Sequence, residues 1–260
     1  MKIIISPAKK MNNREDELDI TGLPCFLSEA EELKSYIRSL DFHQARELWA
    51  CNEKIAQLNY ERFASMDLRK RLSPALLTYE GIQYQHMAPS VFEGGQWDYV
   101  QEHLRILSGF YGLLKPLDGI VPYRLEMQAR VHMDGKSGEI KSLYDFWGPK
   151  LYDALLEEER DRREERPVIV NLASKEYSKA IEPYLEKNVR FLTCVFAVRD
   201  KACRLKVKAT EAKMARGQMV RFMAERAVAD MEELKAFDYF GYSYSQEASG
   251  EDELVFVKEA

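Results

Sequence analysis

Three short apolar runs constrain this chain more than any other feature: Ile3-Ile4-Ile5, Val168-Ile169-Val170-Asn171-Leu172, and Phe191 to Val198. Their β-branched and aromatic content predicts strands. The first two show no polar alternation, so they have no wet face and read as strands buried on both sides. Something must cover those faces, and the intervening sequence offers helices. Ser28 precedes Glu29, Glu31 and Glu32, and predicts a helix to about Leu40 with acids where its dipole favours them. Asp41 opens a longer helix carrying Leu48, Ile55, Leu58, Tyr60 and Phe63. Further helices are predicted over Gln96 to Leu107, Leu143 to Leu156, 175–186 and Thr210 to Asp230. Ala75 to Tyr79 and Leu254 to Val257 read as additional strands, and Ala202 to Ala209 as a strand returning antiparallel to Phe191–Val198. The expected fold class is α+β, with a mixed central β-sheet surrounded by helices, in one domain spanning 1–260.

The polar balance narrows the function classes. The formal net charge is −5, which argues against a surface that binds nucleic acid everywhere. The distribution is uneven: Arg199 to Arg221 holds eight basic and two acidic residues, whereas the charges between Glu157 and Arg166 alternate and nearly cancel. An acidic protein with one basic cleft is the picture that fits. No 18-residue apolar stretch exists, so no membrane span or membrane partner is expected. The N-terminal MKIIISPAKK has an apolar run too short for a signal peptide, so a cytoplasmic location is expected. Cys25, Cys51, Cys194 and Cys203 lack any disulfide-framework spacing and are expected to be reduced and buried. His43, His86, His103 and His132 are scattered, so no metal site and no cofactor is expected.

The segment Leu104 to Met127, LRILSGFYGLLKPLDGIVPYRLEM, carries the clearest local signal. A helix-like run leads into Ser108-Gly109-Phe110-Tyr111-Gly112, and Lys115-Pro116 and Pro122-Tyr123-Arg124 follow. Glycines let a backbone turn sharply and approach a ligand. Turned N–H groups beside a helix end attract phosphate. Arg105, Lys115 and Arg124 are positioned in sequence to reach the same anion. The segment therefore reads as a helix-hairpin-helix-like element holding a phosphate backbone. A Gly-x-x-Gly turn between apolar runs is equally the mark of a plain structural corner, and Pro116 limits any second helix.

Polar residues also gather at predicted strand ends. These are Ser6-Pro7-Ala8-Lys9, then Asn171-Leu172-Ala173-Ser174-Lys175-Glu176-Tyr177, and the basic helix with Lys213, Arg216 and Arg221. Ligands bind outside the carboxyl ends of strands in sheets flanked by helices. Ser6, Lys9, Asn171, Ser174 and Glu176 are thus candidates for a polar pocket. Each also has a structural alternative: Ser174 as a helix cap, Asn171 as a loop staple, the cations as a wet helix face. Glu126 and Glu176 are candidate acid–base groups. No nucleophile elbow, Walker A or dinucleotide fingerprint is present.

These motifs together resemble the YaaA family of bacterial peroxide-stress proteins. The similarity rests on Ile4 to Lys9, Gln101 to Asp118, Pro122 to Met127, Leu143 to Gly148, Val170 to Tyr177, and Lys213, Ala215-Arg216-Gly217, Met219 and Arg221-Phe222. It runs from Met1 to about Lys258. The resemblance implies a role in surviving hydrogen peroxide, with lowered free intracellular iron. It also implies a helix-hairpin-helix element and a positively charged cleft that binds DNA, duplex or branched, with little sequence preference. Carried onto this chain, the DNA-binding residues would be Lys9, Arg105, Ser108, Gly109, Gly112, Lys115, Arg124, Lys213, Arg216 and Arg221. The alternative is an enzyme acting on a nucleotide or nucleic-acid base in the pocket around Ser6, Lys9, Asn171 and Ser174.

Overall fold

The isoleucine run forms a strand, and it lies at the middle of the sheet. The structure, a computed structural model, describes residues 1–15, 17–135, 138–159 and 166–259. Most of the alternating-charge run between Glu157 and Arg166 falls outside these described residues. In chain order the strands of the central sheet are β1 (Lys2–Ile5), β2 (Leu104–Ser108), β3 (Gly112–Leu114), β4 (Val168–Leu172), β5 (Arg190–Arg199), β6 (Leu205–Lys206), β7 (Ser243–Tyr244) and β8 (Glu253–Glu259). Their spatial order is β7-β8-β5-β4-β1-β2-β3, with β6 on β5. The pairs β1–β2, β1–β4, β4–β5 and β5–β8 are parallel. The pairs β2–β3, β5–β6 and β7–β8 are antiparallel. The three runs singled out in the sequence therefore share one mixed, mostly parallel sheet.

Ten helices, among the described residues, cover it: α1 (Leu27–Ser39), α2 (Phe42–Trp49), α3 (Glu53–Ser65), α4 (Ala75–Thr78), α5 (Ile82–Met87), α6 (Gly94–His103), α7 (Leu143–Trp147), α8 (Lys150–Glu157), α9 (Lys175–Ser178) and α10 (Ala209–Arg226). Ile3, Ile4, Ile5, Val170 and Phe256 have no or almost no exposure, and one hydrophobic cluster joins them to α1, α6, α8 and α10. Asp41 caps α2 with a full capping box.

Several predicted elements are shorter than their periodicity suggests, and each break has a local cause. The helix expected from Asp41 divides at Ala50, which is left-handed, and Asn52 caps α3 by accepting the Ile55 N–H at 3.0 Å. The helix expected over Leu143–Leu156 divides at Gly148-Pro149. That over 175–186 shortens to α9 and a tight turn at Glu182–Tyr184, which contains Pro183. Ala75 to Thr78 is a helical turn rather than a strand. Of the cysteines only Cys194 is buried, and Cys25 and Cys203 are exposed.

The largest correction concerns the expected helix-hairpin-helix. The helix ends at His103, and Leu104–Ser108 is a strand running parallel to β1. Ser108 pairs with Gly112, so the segment is a β-hairpin. Pairing with the central isoleucine strand buries Leu104, Ile106 and Leu107 completely, which outweighs any helical propensity. Two of the turn's N–H groups, those of Phe110 and Tyr111, are already committed within the protein. Ser108 Oγ accepts the Phe110 and Tyr111 N–H groups at 3.2 and 2.9 Å and bonds Tyr123 Oη at 2.6 Å. A Cβ on Gly109 would lie 2.6 Å from the Leu125 carbonyl oxygen. Gly112 has φ +72° and packs under Trp147, whose Nε1 donates to the Gly109 carbonyl at 3.1 Å. These glycines serve close packing.

Arg105 and Lys115 also leave the proposed phosphate site. Arg105 is 2% exposed; its Nε donates to Glu158 at 2.8 Å, and its Nη1 to the carbonyls of Gln101 and Leu104. Lys2 lies 3.2 Å and Lys115 3.5 Å from Glu158, and the terminal ammonium lies 2.8 Å from Glu159. This network closes the amino end of β1 and β2. Burial opposes the charge on Glu158, but the Arg105 hydrogen bond and charge, with Lys2 and Lys115, hold its pKa below the ordinary glutamate range. Such a depressed carboxyl contributes stability above its unfolded pKa, about 4.3, and loses it as pH falls through the folded value. Glu158→Gln strips the buried Arg105 and Lys2 of their shared counter-charge. The variant is expected to lose about 2 kcal/mol at neutral pH in urea unfolding, with the gap to the parent narrowing in acid. An unchanged midpoint at neutral pH would show that the network contributes nothing.

Candidate functional site

The sheet directs the chain away from β1 toward β2 on one side and away from β4 toward β5 on the other. Between two such parallel neighbours a crevice opens at the carboxyl ends. The register sets Ile5 beside Leu172, so Ser6 and Ala173-Ser174 leave the sheet together. Ser6 Oγ accepts the Ser174 N–H at 2.8 Å and donates to Ser174 Oγ at 3.1 Å. Tyr84, on α5, donates its hydroxyl to the Ser6 carbonyl at 3.0 Å. Asn171 is buried just below; its Oδ1 accepts the Ala173 N–H at 2.9 Å and its Nδ2 donates to Thr193 at 3.3 Å. Asn171 therefore shapes the turn from beneath rather than facing a ligand.

The opposite wall comes from α10 crossing α5. At Gly217 the two helices touch: a Cβ there would lie 2.1 Å from the Gln83 carbonyl oxygen and 3.0 Å from the Met87 nitrogen. Only glycine allows this approach. The neighbouring Arg216 is thereby carried into the crevice, and Lys213 sits one turn before it. Arg216 Nε is buried with no hydrogen-bond partner among the described residues. The charged neighbour that acts on it is Cys194, whose thiol burial pushes up to about 12, so it supplies no negative charge near neutrality. Burial lowers the pKa of the Arg216 guanidinium. A buried cation without a carboxylate is costly unless a ligand completes it.

Together these elements enclose a cavity of about 390 Å³, lined by residues including Ser6, Lys9, Tyr84, Arg124, Glu126, Ser174, Glu176, Tyr177, Lys213 and Arg216. Glu126 is held by Lys9 at 2.7 Å and by Arg124 at 2.9 Å. Glu176 has no such cation among the described residues and accepts the Gln128 N–H at 3.3 Å. Burial and, less strongly, the Glu126 charge raise its pKa above the ordinary glutamate range. The cavity thus combines hydroxyls and the α10 cations with two carboxylates in unlike surroundings. A wider groove of about 1050 Å³ lies between α1–α2 and the hairpin Arg130–Gly135/Gly138–Ser142. It shares Glu126 but contains none of the serines, lysines or arginines gathered in the smaller cavity; its own arginine is Arg130.

The structure therefore brings together Ser6, Lys9, Arg124, Ser174, Glu176, Lys213 and Arg216. It leaves out Arg105, Ser108, Gly109, Gly112, Lys115 and Asn171, which have the structural partners described above. Arg221 faces away and pairs with Glu225 at 2.6 Å. Sequence reasoning did not single out Tyr84 or Gln83, because α5 is short and no spacing marks it. Tyr177 was visible only as part of a longer motif.

Comparisons with known proteins agree over nearly the whole chain. The family model described as peroxide stress protein YaaA matches residues 1–248. A UPF0246 protein of Lachnoclostridium phytofermentans is 52% identical over 258 residues, covering 99% of this chain and 96% of that one. A UPF0246 protein of Desulfitobacterium hafniense is 49% identical over 259 residues, covering 99% and 98%. One of Pediococcus pentosaceus is 47% identical over 258 residues, again covering 99% and 98%.

The helix crossing gives a direct test of how the cavity is built. Gly217→Ala gains about 1 kcal/mol of helix propensity. It also drives a methyl group into backbone that cannot move without shifting α5, an overpacking cost of about 1–3 kcal/mol. Because the clash is with backbone, the cost falls in the upper part of that range, and the net expectation is a variant destabilised by about 1–2 kcal/mol in urea unfolding, with displaced Arg216. A variant as stable as the parent would mean that α5 and α10 yield to one another and that the contact does not fix the cavity.

Proposed function

As the chain belongs to the family of the peroxide stress protein YaaA, we propose that its working site is this cavity and that it takes a nucleotide-sized phosphorylated ligand. The observation that carries the reading is Arg216: a half-buried guanidinium whose Nε is buried and unpartnered among the described residues, lining the same cavity as two serine hydroxyls. A phosphate fits this chemistry, because it supplies acceptors for the guanidinium and for both hydroxyls at once. Lys213 adds a second, mobile charge at the mouth. The remaining volume, walled by Tyr84, Tyr123, Tyr177, Ile82 and Leu125, suits a sugar and a flat base. A plain basic groove needs no carboxylates, and this partly open cavity carries two.

Binding to DNA is the second reading, and a specific feature favours it. Lys208, at the start of α10, and Lys213, in its second turn, are exposed and lack ion-pair partners among the described residues. They are free to receive phosphates flanking a nucleotide held in the cavity. With Arg216 this makes three contacts, far fewer than the ten residues the resemblance supplied.

Two measurements check these readings. Arg216→Met is expected to weaken binding of nucleoside monophosphates about 10- to 100-fold in calorimetric titration, the value of a charged hydrogen bond. It should leave thermal stability unchanged or raised, because it removes an uncompensated buried charge. Equal affinity in the variant and the parent would sink the nucleotide reading. For DNA, three phosphate contacts give a log–log salt slope of about −2.7 on duplex. Fluorescence anisotropy with no salt dependence would exclude backbone binding, and a slope of about −6.3 would require all seven cations of the larger set.

A further inference from the structure

We propose that Glu126 and Glu176 form a split acid–base pair and that the cavity hydrolyses the glycosidic bond joining base to sugar in the bound nucleotide. The inference rests on the nucleotide reading of the cavity and adds to it a reaction.

The two carboxylates line the same cavity as Ser6 and Arg216. Their surroundings differ in kind. Lys9 and Arg124 bracket Glu126 at 2.7 and 2.9 Å, so it carries the pair's negative charge. Glu176 makes no ion pair among the described residues; burial and, less strongly, the Glu126 charge favour its proton against the Gln128 N–H bond and the more distant Lys9 charge. A carboxyl held toward its protonated form beside an ion-paired carboxylate places Glu176 as the acid and Glu126 as the base. That is the equipment of glycosidic cleavage, in which one carboxyl protonates the leaving group and the other activates water.

The sign of the charge decides between the two bonds a nucleotide offers. Cleaving the base–sugar bond develops positive charge on the sugar, which a carboxylate stabilises. Phosphoryl transfer spreads negative charge over the phosphate oxygens, which a carboxylate opposes and cations stabilise. The cations Arg216 and Lys213 both come from α10 and form no ion pair with either carboxylate among the described residues, so they are left to hold the phosphate as an anchor. The carboxylates are then left to the sugar carbon and the base. The aromatic wall of Tyr84, Tyr123 and Tyr177 gives the base a face to lie against.

The step balances without any added reagent. The bond between the anomeric carbon and the base nitrogen breaks, and its electron pair goes to that nitrogen. The nitrogen takes the Glu176 proton. A water oxygen bonds to the anomeric carbon and gives its proton to Glu126. One water is consumed, and a free base and a sugar phosphate are released. Glu176 regains its proton, and Glu126 loses one, through solvent.

The test uses the full chain with the common ribo- and deoxyribonucleoside monophosphates and a guanine nucleotide oxidised on the base. Binding is read by calorimetry and base release by chromatography. The parent should bind at least one probe and release its base. Glu176→Gln and Glu126→Gln should bind it within about threefold of the parent yet release base about 100-fold more slowly, the scale of general acid–base catalysis. The rate should also fall as pH rises and Glu176 loses its proton, and Glu176→Gln should lose that dependence, which a merely structural role would not cause. Binding by the parent without base release overturns the glycosidic reaction and leaves the nucleotide cavity standing. Binding of none of the probes overturns both. Release at parental rates by both variants removes the carboxylates from the chemistry.

Discussion

The parallel pairing of β1 with β4 fixes the rest of the molecule. Ile3 and Val170, which have no exposure, face each other at the centre of the sheet, and Ile5 pairs with Leu172 at its end. Parallel strands need crossover connections, and here the crossovers leave in opposite directions. That single fact opens a crevice where Ser6 and Ser174 emerge. It also requires both faces to be covered by helices, which explains why runs this apolar can be tolerated.

Charge is partitioned along the same strands. At the amino end Lys2, Arg105 and Lys115 meet Glu158, with Glu159 on the terminal ammonium, so cations and carboxylates are matched. At the carboxyl end the matching is incomplete. Lys9 and Arg124 share Glu126, while the half-buried Arg216 has a buried Nε with no partner among the described residues. A net charge of −5 therefore says little about where an anion binds. Closed networks at one end leave an open cationic site at the other, and only the unmatched charges have energy to offer a ligand.

The glycine motif shows how a signal can be real and its meaning mistaken. Gly109 and Gly112 do occupy positions that no larger residue tolerates, as the sequence suggested. The close approach is to the protein's own backbone and to Trp147, not to phosphate. The Leu104–Ser108 stretch has a composition that suits either a buried helix or a buried strand. Its partner, Ile3–Ile5, lies a hundred residues away in the chain, so no local window contains the deciding interaction. The same holds for Gly217, whose contact with Gln83 joins helices distant in sequence.

Local chemistry was enough to determine several things about this protein. The β-branched runs had to be buried strands, Asp41 had to start a helix, and the polar residues after Ile5 and Leu172 had to lie at strand ends, because these follow from side-chain shape and hydrogen-bonding capacity alone. Ser6, Lys9, Ser174, Glu176, Lys213 and Arg216 were legible as candidates on the same grounds. Tertiary structure alone decided which of them meet. It turned Arg105 and Lys115 into partners of Glu158 and left Arg216 with a buried Nε that has no partner among the described residues, whereas the Arg221–Glu225 pair is local to one helix. The physical reason is that a charge is defined by what surrounds it, and in a parallel sheet those surroundings come from segments that only folding brings together.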